Sequence, residues 1–122
     1  MKTVEISNPS TNSPLKLKAG YCNSFFGKFK GLMFRRSIDD NEGLLLVEDR
    51  NSILNTSIHM LFMFFDIAAI WINSENTVVD ARLAKKWFPF YFPQKPAMYI
   101  LECNPSWLDK FQIGDVITIK DA

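Results

Sequence analysis

One histidine, two cysteines and a formal net charge of only +1 set the first limits on this 122-residue sequence. His59 stands alone, and Cys22 and Cys103 lie far apart with no Cys-x-x-Cys or Cys/His cluster, so there is no ligand set for a structural zinc site. No metal or other cofactor is expected. The small net charge argues against a nucleic-acid binder that works by neutralising many phosphates, although a local basic patch is compatible with it. Residues 1–12 lack the apolar core of roughly 7–15 residues that a signal peptide needs. A cytoplasmic chain with two reduced, buried thiols is therefore expected. Also absent are a Gly-x-Ser-x-Gly elbow, a Gly-rich phosphate loop and a His-Glu-x-x-His motif. Repeats and low-complexity tracts are missing too, and the length holds one core, so residues 1–122 form a single domain.

What the chain has in excess is aromatic: eleven Phe and three Trp. The densest stretch is Ser57–Ile72, SIHMLFMFFDIAAIWI, bordered by His59 and interrupted only by Asp66. It falls short of the roughly 20 residues that cross a bilayer. Asp66 would also sit near the membrane centre at a cost of about 2.5–3.5 kcal/mol. The residue types suit one or two buried strands with a bend near Phe65–Asp66. This predicts no transmembrane segment, and an interior built around the block.

Around it the chain reads as short strands. Thr3–Ile6 and Leu15–Lys18 alternate with period two and pair as a hairpin across the turn-forming Ser7–Pro14. Gly43–Val47 suits a buried strand, followed by a turn at Glu48–Asn51. Asn73–Asn76 turns between Ala69–Ile72 and Thr77–Ala81. Ala97–Cys103 is a strand with Ile100 and Glu102 on one face and Tyr99 and Leu101 on the other. Asn104-Pro105 opens a helical turn, and Val116–Ile119 closes the chain. The one helix predicted is Phe25–Arg36, whose stripe of Phe25, Phe26, Phe29, Leu32 and Met33 packs on a sheet more readily than it lies on a membrane. Ser37–Glu42 reads as a solvated loop, since its acids lack calcium-loop spacing. The expected fold is mainly β (α+β): a small β-barrel or rolled sheet of about seven short strands with one amphipathic helix. The proline-broken loop 85–96 carries Trp87, Phe88, Phe90 and Tyr91, which must fold over the core or present a binding face. The first is the expectation.

Five stretches, taken together in order, resemble a known family. They are Ser24-Phe25-Phe26 leading to Lys30-Gly31-Leu32-Met33-Phe34-Arg35, Gly43-Leu44-Leu45-Leu46, Ser57 to Met63, Ile100-Leu101-Glu102, and Ile113-Gly114-Asp115. The combination resembles the widespread prokaryotic family called domain of unknown function 192, which implies a compact, mainly β domain and no established activity. The family pattern continues Arg-Phe-Pro-Ile-Asp where this chain has Phe64-Phe65-Asp66-Ile67-Ala68. Asp66 could stand in for the acid missing at Ala68, because an offset of two keeps the same strand face.

The candidate polar set is Arg35, His59, Asp66, Glu102 and Asp115. Arg35 is expected to pair with a buried carboxylate such as Glu102, and Asp115 to fix a turn. Two functions fit. The first is a non-enzymatic module binding an unknown small molecule or protein near His59 and Arg35 or on the aromatic loop, with no catalytic residue. The alternative is a small hydrolase or thiol-dependent enzyme using His59 with Glu102 or Cys103.

Overall fold

The computed structural model describes residues 2–11, 16–24 and 31–122. The predicted helix Phe25–Arg36 falls largely outside them, and its described part begins as a turn at 31–34. Seven strands follow in order: β1 Thr3–Ser7, β2 Lys16–Cys22, β3 Glu42–Ser52, β4 Ile67–Ile72, β5 Val78–Ala84, β6 Ala97–Cys103 and β7 Thr118–Asp121. They form one sheet in the order β5-β4-β6-β3-β2-β1-β7. Only β2 and β3 run parallel.

Period-two alternation sorts side chains onto the two faces. One face carries Leu17, Leu45, Ala68, Ile70, Leu101 and Cys103, and Trp107 and Phe111 close over it. Trp107 comes from a 3-10 helix, Pro105–Lys110, and Phe111 from the residue that ends it; Asn104 caps the helix by accepting from the Ser106 N–H. The other face carries Leu44, Leu46, Ala69, Trp71 and Ile100 beneath Ile58, Met60 and Met63. β4 is apolar throughout because both of its faces are covered. Gly43 has a steric reason: a Cβ there would meet the Leu17 and Leu101 side chains and the Glu102 carbonyl at 3.2–3.3 Å.

Three expectations need correcting. The fold is mainly β as expected, but of the two forms considered the closed barrel does not occur, because β5 and β7 are edges that share no ladder. The segment before β7 meets the start of β5, where Gly114 N–H donates to Val78 O, Val78 N–H to Asp115 O and Ile117 N–H to Asn76 O. That contact draws Val116 and Ile117 out of the last strand, which starts at Thr118 instead. Second, β3 runs through the expected turn at Glu48–Asn51, because its pairing with β6 resumes at Ser52–Ala97 beyond an irregularity. Third, only Ile67–Ile72 of the greasy block is strand. Residues 58–66 form no ladder: Ile58 and Met60 bond to Tyr91, Phe88 and Trp87, while the Phe62 carbonyl accepts from Phe34 and Met63 N–H donates to Met60 O. Among the described residues no helix is long and apolar enough to cross a membrane.

Candidate functional site

Across β3, β6, β4 and β5, directly paired residues form two rows on one face: Leu44–Glu102–Ala69–Arg82 and Leu46–Ile100–Trp71–Asp80. Above the β3–β6 part of these rows lies a cavity of about 300 Å³. Leu46 and Ile100 lie on its strand side, with Ile58, Met60 and Met63 from the loop that follows β3. Its polar lining includes Glu102, Glu48, Ser57 and His59. The site thus joins two of the five predicted polar residues, His59 and Glu102.

Glu102 is the unusual group. It is only 6% exposed, its cross-strand neighbours are Leu44 and Ala69, and among the described residues no cation pairs with it. Burial without a counter-charge pushes its carboxyl up to about 7. The nearest basic residue in its row, Arg82, is two strands away, roughly 10 Å. That guanidinium is already engaged. It pairs with the buried Asp80 at 3.0 Å, lies over the Trp71 and Tyr91 rings, and donates to the Phe92 carbonyl.

The expected partner of Glu102 is elsewhere. Arg35 bonds Glu42 through two hydrogen bonds of 2.8 and 3.0 Å at the surface. These hold the Glu42 carboxyl below its usual range and raise Arg35. The pairing is local because β3 begins at Glu42, just beyond the loop that follows Arg35. Asp66 does not line the cavity; its carboxylate accepts the Lys86 N–H at 2.9 Å. Ala68 packs on the opposite face, so Asp66 does not deliver an acid to the site. Asp115 accepts from the Gln112 N–H and the Asn8 amide, fixing a turn away from the cavity.

The thiol expected to assist His59 is likewise misplaced. Cys103 belongs to the opposite face, is fully buried, and is pushed far up by burial and then by the nearby Glu102 charge. Cys22 packs on the cavity face. The two free cysteines, both buried, are therefore separated by the sheet. We expect neither to react with a thiol reagent until denaturant is added; labelling in native buffer at the rate of a free thiol would contradict this packing. No group of three or more His, Cys, Asp or Glu among the described residues is placed to hold a metal ion.

The aromatic loop does not fold over the core. Trp87, Phe88 and Phe90 are about half exposed and Tyr91 is half-buried. Exposed Phe34, Phe62 and Phe64 join them from two other loops, an extension the sequence analysis missed. Asp80 and Arg82 were missed as well. Their spacing, two charges on alternate positions of an otherwise apolar strand, was the available signal.

Residues 6–119 match the family DUF192, described as an uncharacterized ACR. A UPF0127 protein of Thermococcus kodakarensis is 41% identical over 83% of this chain and 64% of its own length. One from Thermococcus gammatolerans is 39% identical over 66% of this chain and 50% of its own. The chain thus spans less than two thirds of these relatives' length. One from Pyrococcus furiosus is 35% identical over 78% of each chain. Two crystal structures share the fold. A Sinorhizobium meliloti protein provisionally described as a transcription regulator has a TM-score of 0.84 and 18% identity, over 97% of this chain and 92% of that one. A Novosphingobium aromaticivorans protein of unknown function has a TM-score of 0.79 and 17% identity, over 95% and 83%.

Proposed function

This chain belongs to the uncharacterized family DUF192, and on that premise we propose that it is a non-enzymatic binding module whose cavity takes a small, largely apolar molecule carrying an amine. The observation that carries this reading is the buried Glu102 carboxyl beside an apolar floor, with no protein cation against it among the described residues. An ammonium group placed there would satisfy the carboxylate by a charge-assisted hydrogen bond. Leu46, Ile100, Met60 and Met63 would cover the ligand's hydrocarbon. His59, from the loop, would add a polar contact at the same cavity. Among the described residues the lining holds no Lys or Arg.

The hydrolase or thiol alternative has less support. Cys103 lies across the sheet from His59, and the Ser57 hydroxyl donates to the Leu54 carbonyl at 2.7 Å. The free, buried thiols suit a reducing compartment, and we place the protein in the cytoplasm on that ground. The reading makes no use of nucleic acid.

Binding is tested by amide chemical-shift mapping with butylamine and benzylamine, against butyrate and benzoate. The amines should perturb His59, Ile100 and Glu102, and Glu102→Gln should weaken them at least about tenfold, the cost of one charge-assisted bond. Equal response to amines and acids, or no response to either, would defeat the proposal.

A further inference from the structure

A second surface, outside the cavity, has features that folding does not account for. Phe34, Phe62, Trp87 and Phe64 form a continuous ladder of rings, with successive centroids 5.3, 5.3 and 6.3 Å apart. All four are 44–59% exposed. Three of them, Phe34, Phe62 and Trp87, also have left-handed backbones, with φ of 68°, 62° and 68°. Bulky residues adopt that conformation only under constraint. Glycine or asparagine would hold the same turns at less cost, and these rings repay little of it by burial. The ladder is also rigidly mounted. Its three loops are tied by backbone bonds from Phe34 N–H to Phe62 O, Trp87 N–H to Met60 O and Met60 N–H to Phe88 O.

The charge around the ladder is mostly positive. Arg36, Lys85 and Lys86 are exposed and within two residues of ladder positions, and Lys95 is exposed in the same loop as Trp87. Arg35 is already matched by Glu42. Segments 31–36, 58–65 and 85–96 contain no acidic residue, and the adjoining Asp66, whose carboxylate accepts the Lys86 N–H, leaves one acidic group at the edge of this basic border. Phenylalanine, which dominates the ladder, offers no hydrogen bond to a base or a peptide. Apolar rings bordered by cations are suited instead to the boundary between lipid headgroups and acyl chains.

We infer that the Phe34–Phe62–Trp87–Phe64 ladder docks this domain on an anionic lipid surface, with the rings in the headgroup boundary and Arg36, Lys85 and Lys86 on the lipid phosphates. This face is independent of the Glu102 carboxyl, so the inference stands whether or not the cavity binds amines.

The test is co-sedimentation with vesicles of equal parts phosphatidylglycerol and phosphatidylcholine, and with phosphatidylcholine alone. The protein should pellet with the anionic vesicles at low salt, less so as salt rises, and with a blue shift in tryptophan emission. Trp71 and Trp107 are buried, so that shift reports Trp87. The double variant Phe62→Asn/Trp87→Asn keeps residues that tolerate a left-handed backbone and should fold unchanged by circular dichroism while binding at least tenfold less. Lys85→Glu/Lys86→Glu should lose binding to a similar extent. Absence of pelleting, equal affinity for the uncharged vesicles, or full binding by the Asn variant overturns the inference. So would a wild-type dimer dissolved by the Asn substitutions, or displacement from vesicles by oligothymidylate, since the face would then serve a second copy or a nucleic acid.

Discussion

Replacing Trp71 with alanine will cost about 3–5 kcal/mol of stability, the upper range for truncating a buried aromatic side chain. Trp71 is fully buried in β4. Its indole N–H donates to the Thr56 carbonyl at 2.7 Å, and Thr56 is itself buried, with its hydroxyl donating to the Ser52 carbonyl. Its ring lies beneath Arg82, which joins Asp80, Tyr91 and Phe92. Truncation therefore opens a void, strands a buried acceptor and removes the surface on which Arg82 rests. A domain of this size has roughly 5–15 kcal/mol in total, so the variant should be close to unfolding at 37 °C. Urea unfolding followed by circular dichroism measures the loss. Trp71→Phe fills most of the space but lacks the N–H, and should cost about 1–3 kcal/mol. A loss under about 1 kcal/mol for the alanine variant would mean that the ring and its bond are not central to the packing.

The second large effect depends on pH. Glu102 has its carboxyl raised from an ordinary 4.5 to about 7 by burial. Between those values the unfolded chain releases the proton and the native protein keeps it. Stability from this group is thus complete below pH 4.5, falls as pH rises through the window, and levels off above about 7. At 1.36 kcal/mol per unit the shift amounts to about 3 kcal/mol. Glu102→Gln preserves the size and the hydrogen-bonding capacity while removing the titration. The variant should match the wild type near pH 4 and exceed it by up to about 3 kcal/mol at pH 8. Parallel urea titrations at the two pH values isolate the group, because every other titrating residue is common to both proteins. A constant difference across pH would mean that Glu102 is not a buried, unmatched acid.

The local elements were legible wherever one residue type decides them. Alternation in Ala97–Cys103 placed Ile100 and Glu102 on one face and Leu101 on the other, and Asn104-Pro105 marked the capped turn. The five ordered motifs pointed to the family that the matched region bears out. The first half of the greasy block was not legible, because a run of apolar residues carries no polar marker of which way each points. Ile58, Met60 and Met63 turn inward while Leu61, Phe62 and Phe64 turn out, and that choice is made by hydrogen bonds to a loop some thirty residues away. Charge partners were equally hidden. Arg35 has carboxylates at several sequence distances, and only the path of the chain into β3 selects Glu42 over Glu102. The solitude of Glu102 could not be read at all, since it is set by the small side chain of Ala69 and by Asp80 holding Arg82 on another strand.

The two ends of the chain meet in adjacent strands, with Ala122 N–H bonded to Thr3 O and Lys2 paired to Asp121. In an antiparallel pair the hydrogen bonds run perpendicular to the strands. Tension applied between the termini would therefore load the β1–β7 contacts one after another, starting from that corner, instead of shearing them together. A molecule tethered by its ends should give way by gentle unzipping of β7, while β3, β4 and β6 at the centre of the sheet bear no force until the edge has peeled.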